Sequence, residues 1–127
     1  MRLSEAIQYV DRGIAKAKQM GVSVSFAVVD EFGQLVQLDR MDGAALMSPD
    51  IASAKAITAL NFRRATSDLS RFDAATLKSI GDSVKFTIVA LAGGVPIFRG
   101  TDLAGAIGVS GATSAQDEEL ARHALAA

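Results

Sequence analysis

Gly105-Ala-Ile-Gly-Val-Ser-Gly-Ala-Thr-Ser-Ala-Gln-Asp-Glu-Glu119 is the stretch on which the reading of this chain turns. Glycines at 105, 108 and 111 lie among small and apolar residues, followed by Thr113, Ser114 and a run of amide and carboxylate side chains. This pattern predicts a buried strand that feeds the start of a helix. Thr113 and Gln116 match the T-x-x-Q capping box, with Ser114 as an alternative cap. Glycine weakens a strand, so its usual reason there is close approach of another backbone, a bulge or a ligand. Packing and ligand binding both remain open, and Gly108, Gly111, Thr113 and Gln116 are candidate ligand contacts. The spacing G-x-x-G-x-x-G is not a dinucleotide fingerprint, which needs a G-x-G turn within a long βαβ unit.

Working outward, Lys85 to Leu91 and Val95 to Arg99 read as two more strands around a turn at Ala92-Gly-Gly94. Pro96 should sit at an edge or bulge, because it cannot donate to a ladder. Val22 to Asp30 suits a central strand, and Gln34 to Arg40 returns beside it through a turn at Gly33. Ser4 to Met20 has Ile7, Val10, Ile14 and Ala17 at helical spacing, with Ser4 as cap and Gly21 as exit. Gly13 is a mild flaw in that helix, costing about 1 kcal/mol against alanine unless something packs there. Ser48-Pro49 opens a second helix reaching about Arg64, with Ser48 as cap. Its Ala52, Ala54, Ala56 and Ala59 let it lie close to a sheet or to a partner subunit. Thr66 to Ser83 holds one or two brief helices, and Ser114 to about Ala126 the last. Short connections favour antiparallel pairing. The expected fold is α+β: about five antiparallel strands covered by N-terminal, middle and C-terminal helices, of profilin-like or PAS-like type.

With 127 residues, half of them hydrophobic, one globular domain is expected. The 13 basic and 14 acidic residues leave a net charge of −1, without the basic footprint of a nucleic-acid binder. The chain has no cysteine, so disulfides, thiolate metal sites and thiol nucleophiles are excluded. No segment has the apolar length of a membrane span, and the first residues lack the apolar core of a signal peptide. A cytoplasmic location is the expectation.

No catalytic motif stands out. The one histidine, His123, falls near the end of the last helix, where the dipole favours it without any ligand. Acidic residues do not cluster at a metal-ligand spacing, so no metal is expected. Arg40 and Asp42 fall where a strand ends and a glycine loop begins. Arg40 offers a planar fork for a carboxylate, with Asp42 to orient it, or the two form a local ion pair that pins the loop. Lys55, set among alanines, reaches a pocket or an interface, or is simply solvated. Gln116, Asp117 and Glu118 suit the first turn of a helix whatever the function.

Taken together, Asp30-x-x-Gly33-x-Leu-Val, Arg40-Met-Asp-Gly-Ala44, the Ser48 to Lys55-Ala56 helix, Gly93-Gly-x-Pro-Ile97 and Gly105 to Gly111 with Gln116-Asp-Glu-Glu119 resemble the GlcG/HbpS family. That family is labelled haem-binding or haem-degrading and is related to the C-terminal domain of PduO-type corrinoid adenosyltransferases. The resemblance covers nearly the whole chain and implies the α+β architecture, one domain over 1–127, and a homo-oligomer such as an octamer. It also implies haem as a cofactor for some members. The first-helix histidine that ligates haem in the PduO-type domain has no counterpart here, which leaves Tyr9, Met20, Met41, Met47, Thr113 and His123 as candidate ligands.

Two functions follow as expectations. One is an oligomeric small-ligand-binding protein for haem or another tetrapyrrole, or for a small organic anion, held between the end of the second strand and the start of the last helix. The alternative is a small-molecule catabolic enzyme acting on a carboxylate substrate, with Arg40 as anchor and Lys55 or Asp42 moving a proton. The alanine-lined middle helix is expected at the subunit interface.

Overall fold

The computed structural model describes residues 1–126. Helix α1 (Leu3–Met20) begins at Arg2, whose backbone N–H donates to the Glu5 carboxylate at 3.3 Å. Ser4 therefore lies inside the first turn and is not the cap. The helix exits at Gly21 with φ 70°, as its sequence predicts. Its buried face is Ala6, Val10, Gly13 and Ala17. That face is turned away from Ile7, which is 39% exposed. Phe26 accounts for the turn, because a Cβ on Gly13 would come within 2.4 Å of its ring. Burying an aromatic side chain contributes about 1.5–3 kcal/mol, which offsets the helix cost of the glycine.

Strands β1 (Ser25–Asp30) and β2 (Leu35–Arg40) form the expected hairpin, turning through Gly33 at φ 82°. The Asp30 carboxylate fastens that turn by accepting the N–H groups of Phe32 and Gln34, each at 2.9 Å. Strands β3 (Gly94–Arg99) and β4 (Asp102–Ser110) complete an antiparallel sheet in the order β2-β1-β4-β3. The glycine strand is thus central, and Pro96 lies on an edge strand.

The sheet has four strands and not about five. Lys85 to Leu91 has strand-like composition but joins no ladder. Helix α2 (Ser48–Phe62) supplies Thr58, whose hydroxyl accepts the Val89 N–H at 3.1 Å. Thr66 donates its hydroxyl to the Leu91 carbonyl at 2.6 Å and accepts the Gly94 N–H at 2.9 Å. Two threonine hydroxyls do here what a neighbouring strand does elsewhere. The brief helices expected before this segment are a 3₁₀ turn over Thr66–Arg71 and helix α3 (Ala74–Ser83).

Helix α4 (Ser114–Leu125) starts from the predicted box: Thr113 Oγ1 accepts the Gln116 N–H and Gln116 Oε1 accepts the Thr113 N–H, both at 3.2 Å. Alternate residues of β4 serve the two faces of the sheet. Ile107 and Val109 pack with α1 and α4, while Ala106 packs with α2. Gly108 faces α2 so closely that a Cβ would lie 1.9 Å from the Ala52 carbonyl oxygen. Ala52, Ala56 and Ala59 have no exposed surface in the chain itself. The thin face of α2 is therefore spent on the sheet, so Ala52, Ala56 and Ala59 do not line a subunit interface, and of the four alanines only Ala54 keeps some exposure. Ser48 is the first residue of α2 and not its cap. Its hydroxyl turns inward, to the Ala45 carbonyl at 2.6 Å and to Ser25 Oγ at 2.8 Å.

Candidate functional site

Two hollows contain Arg40, Asp42 and Lys55, three charged residues singled out in the sequence. The larger, about 520 Å³, lies where the C-terminal end of α1 meets the end of β2. Ile14 and Val22 give it apolar walls, Lys18 and Arg40 bring cations, and Met41, Asp42 and Ser23 complete it. Register explains Arg40: it closes β2 opposite Ser25, so the chain leaves the sheet there. Arg40 makes no ion pair with Asp42 among the described residues, and its side chain's one hydrogen bond is a long contact of 3.5 Å to the Ala44 carbonyl. The guanidinium retains most of its five donors, and with Lys18 it outweighs Asp42 by one charge.

A smaller cleft of about 260 Å³ opens between the start of α2 and the start of α4. Lys55 forms its floor at 2% exposure. Lys55 Nζ donates to the Val109 carbonyl at 2.9 Å and to Asp117 Oδ2 at 3.1 Å. Asp117, 3% exposed, accepts the Ala112 N–H on its other oxygen at 2.9 Å. The first turn of α4 holds this carboxylate against the positive end of the helix dipole. The lysine reaches it through a gap that glycine keeps clear. A Cβ on Gly93 would lie 3.0 Å from Lys55 Nζ and 3.1 Å from Asp117 Cβ.

Arg40 and Asp42 thus share one hollow, while Lys55 and Gly111 line the other. The two have no lining residue in common, so Arg40, Asp42 and Lys55 do not converge within the chain. Gly108 is filled by the backbone of α2, and Thr113 and Gln116 are engaged in the cap of α4. His123 is exposed near the end of α4. The residue missed in the sequence is Asp117, partner of Lys55. Its place in a first helical turn gives an acidic residue sufficient local reason, which hid the longer-range one. A third hollow of about 500 Å³ lies between the β1–β2 turn and α2, with Phe32, Leu60, Arg63 and Lys85 on its walls. It offers no sulfur, imidazole or phenol. Among the described residues no group of His, Cys, Asp or Glu side chains could hold a metal ion, and no helix is long and apolar enough to cross a membrane.

The family model for haem degrading protein HbpS-like matches residues 1–126. An uncharacterised 15.0 kDa protein from the dhaT-dhaS intergenic region of Citrobacter freundii is 39% identical over 115 residues, covering 87% of this chain and 80% of that protein. The crystal structure of Klebsiella pneumoniae protein ORFY superposes with a TM-score of 0.92 at 32% identity, over 98% of this chain and 88% of the other. The structure of a PduOC–haem complex gives a TM-score of 0.90 at 28% identity, over 98% and 92% of the two chains.

Proposed function

Because this chain belongs to the HbpS-like family of haem degrading proteins, we propose that it is a homo-oligomeric small-ligand-binding protein that takes a haem-type tetrapyrrole or a small organic anion beside Arg40. One observation carries this reading: two cations, Lys18 and Arg40, stand over apolar walls in a hollow of about 520 Å³. Ligand pockets run to roughly 300–1,000 Å³, mostly apolar with a few placed polar groups. The neighbour solved with haem, at 28% identity, supports the tetrapyrrole version.

The residues present fit the group. A tetrapyrrole needs a flat apolar wall, cations for its carboxylates and a donor atom for its metal. Ile14 and Val22 would supply the wall, Lys18 and Arg40 the cations, and the Met41 thioether is the one sulfur among the lining residues that could serve as donor. Bound haem supplies a redox-active iron. The chain's own part would be to hold the carboxylates with Lys18 and Arg40 and to cover one apolar face of the ring with Ile14 and Val22. Self-association is supported by exposed apolar side chains at the β1–β2 hairpin, where Phe32 is 80% and Leu35 52% exposed.

Titration with haemin tests the site. A shifted Soret band saturating at one equivalent per chain is expected, and Arg40→Ala should weaken binding about tenfold, as loss of a charged hydrogen bond does. Arg63→Ala, in the third hollow, should leave binding unchanged. A free-haemin spectrum throughout would reject the tetrapyrrole version. The anion version then stands on a thermal shift with short dicarboxylates that Arg40→Ala abolishes. Light scattering giving a mass near the 13.2 kDa of one chain would reject the oligomer.

A further inference from the structure

The geometry points to a second binding site, in the cleft between α2 and the first turn of α4, for a short acyl compound that presents a carboxylate or carbonyl oxygen. It is independent of the Arg40 hollow and rests on which hydrogen-bonding groups the fold has left over.

Each Asp117 oxygen already holds one partner, the Ala112 N–H on one and Lys55 on the other. Lys55 has two partners, the Val109 carbonyl and Asp117, for three N–H bonds. The serine hydroxyls can be assigned in the same way. Ser48 has one proton, and it goes to the Ala45 carbonyl. Ser25 must then be the donor in its 2.8 Å contact with Ser48. Ser110 stands opposite Ser25 in the ladder and lines the cleft at 6% exposure. Its hydroxyl finds no partner among the described residues. No fully enclosed side-chain oxygen or nitrogen lacks a partner, so this hydroxyl must open onto the cleft.

The helix end adds to this surplus. The Gln116 and Asp117 N–H groups of α4 go to Thr113, whereas those of Ser114 and Ala115 find no partner among the described residues. The third Lys55 N–H, the Ser110 hydroxyl and the Ser114 N–H can all donate into the cleft. Lys55 and Asp117 cancel in charge, leaving only the positive end of the helix, which disfavours a cation. An oxygen acceptor, anionic or neutral, answers both conditions. The outer walls are apolar, with Met47 at 66% and Leu91 at 57% exposure, and suit a short carbon tail. The volume of about 260 Å³ is half that of the Arg40 hollow and suits a chain of a few carbons rather than a tetrapyrrole.

The test titrates the isotopically labelled intact chain with butyrate, butanone and butylamine in turn, following the backbone amides of Gly111, Ser114 and Ala115. Saturable shifts with an acyl probe and none with butylamine are expected. Butyrate alone would assign the site to anions and butanone alone to neutral carbonyls, and either supports it. Ser110→Ala keeps the volume nearly unchanged and should weaken binding about tenfold, the loss of one good hydrogen bond. Arg40→Ala should leave the titration untouched, which separates this site from the haemin site. Amides unmoved by both acyl probes, equal shifts with butylamine, or full affinity in Ser110→Ala would each overturn the proposal.

Discussion

Replacing Lys55 by methionine keeps the bulk of the side chain and removes only its charge and donors. What remains is a carboxylate on Asp117 that is 3% exposed, holding one hydrogen bond, from the Ala112 N–H. Both partners are nearly water-free, so solvent screening does not dilute the effect. Breaking a buried pair from one side costs about 3–5 kcal/mol, because the surviving charge is stranded. Against a total stability of about 5–15 kcal/mol for a domain, that is a large share. The second corner of the cycle is Lys55→Met with Asp117→Leu. With no charge left to strand, the double variant should recover much of the loss. A deficit of about 1–3 kcal/mol should persist, since the Ala112 N–H loses its partner and the Val109 carbonyl its lysine. Urea unfolding followed by circular dichroism gives each corner, provided the slope with denaturant is unchanged. A cost below about 1 kcal/mol for Lys55→Met, or a double variant equal to the sum of the singles, would refute the reasoning.

Three further outcomes are expected. Gly108→Ala forces a methyl group toward backbone atoms of α2 at 1.9 and 2.7 Å, so the helix must lift from the sheet. Overpacking of this kind costs about 1–3 kcal/mol or more, readable as a lower Tm. Thr113→Ala removes the hydroxyl that accepts the Gln116 N–H and should cost about 1 kcal/mol. Amide exchange should quicken first in α4. The third outcome concerns Asp73, whose carboxyl is held below its ordinary value near 3.8 by the Thr76 N–H at the start of α3. A lowered carboxyl pKa means the cap is fully present above the ordinary value and is lost as pH falls through the lowered one. The Thr76 amide resonance should report that loss, and Asp73→Asn should abolish its pH dependence.

What the sequence disclosed follows the range of each interaction. The box at Thr113 and Gln116, the turn at Gly33 and the exit at Gly21 are settled within a few residues, and each stands where the local chemistry put it. Burial of the glycine strand was legible too, since glycine among apolar residues has few other uses. Lys85 to Leu91 was misread because its partners are hydroxyls of Thr58 and Thr66, which composition does not announce. The alanines of α2 were legible as a thin face but not as to what they touch. Arg40 does end its strand beside a hollow, yet it meets the end of α1 and not the start of α4. Lys55 and Asp117 are 62 residues apart, and no local pattern joins them.

That separation bears on how long the folded state lasts. The lysine can reach its carboxylate only after β4 has paired with β3, so that Gly93 and Val109 stand side by side, and after α4 has settled at the strand's end. A contact with so many prerequisites is expected to form late in folding, so Lys55→Met should speed unfolding far more than it slows refolding in stopped-flow measurements. Its energy therefore falls mainly on the unfolding barrier. The buried pair acts as a latch on lifetime: it hardly hastens arrival at the native state, but it delays departure from it.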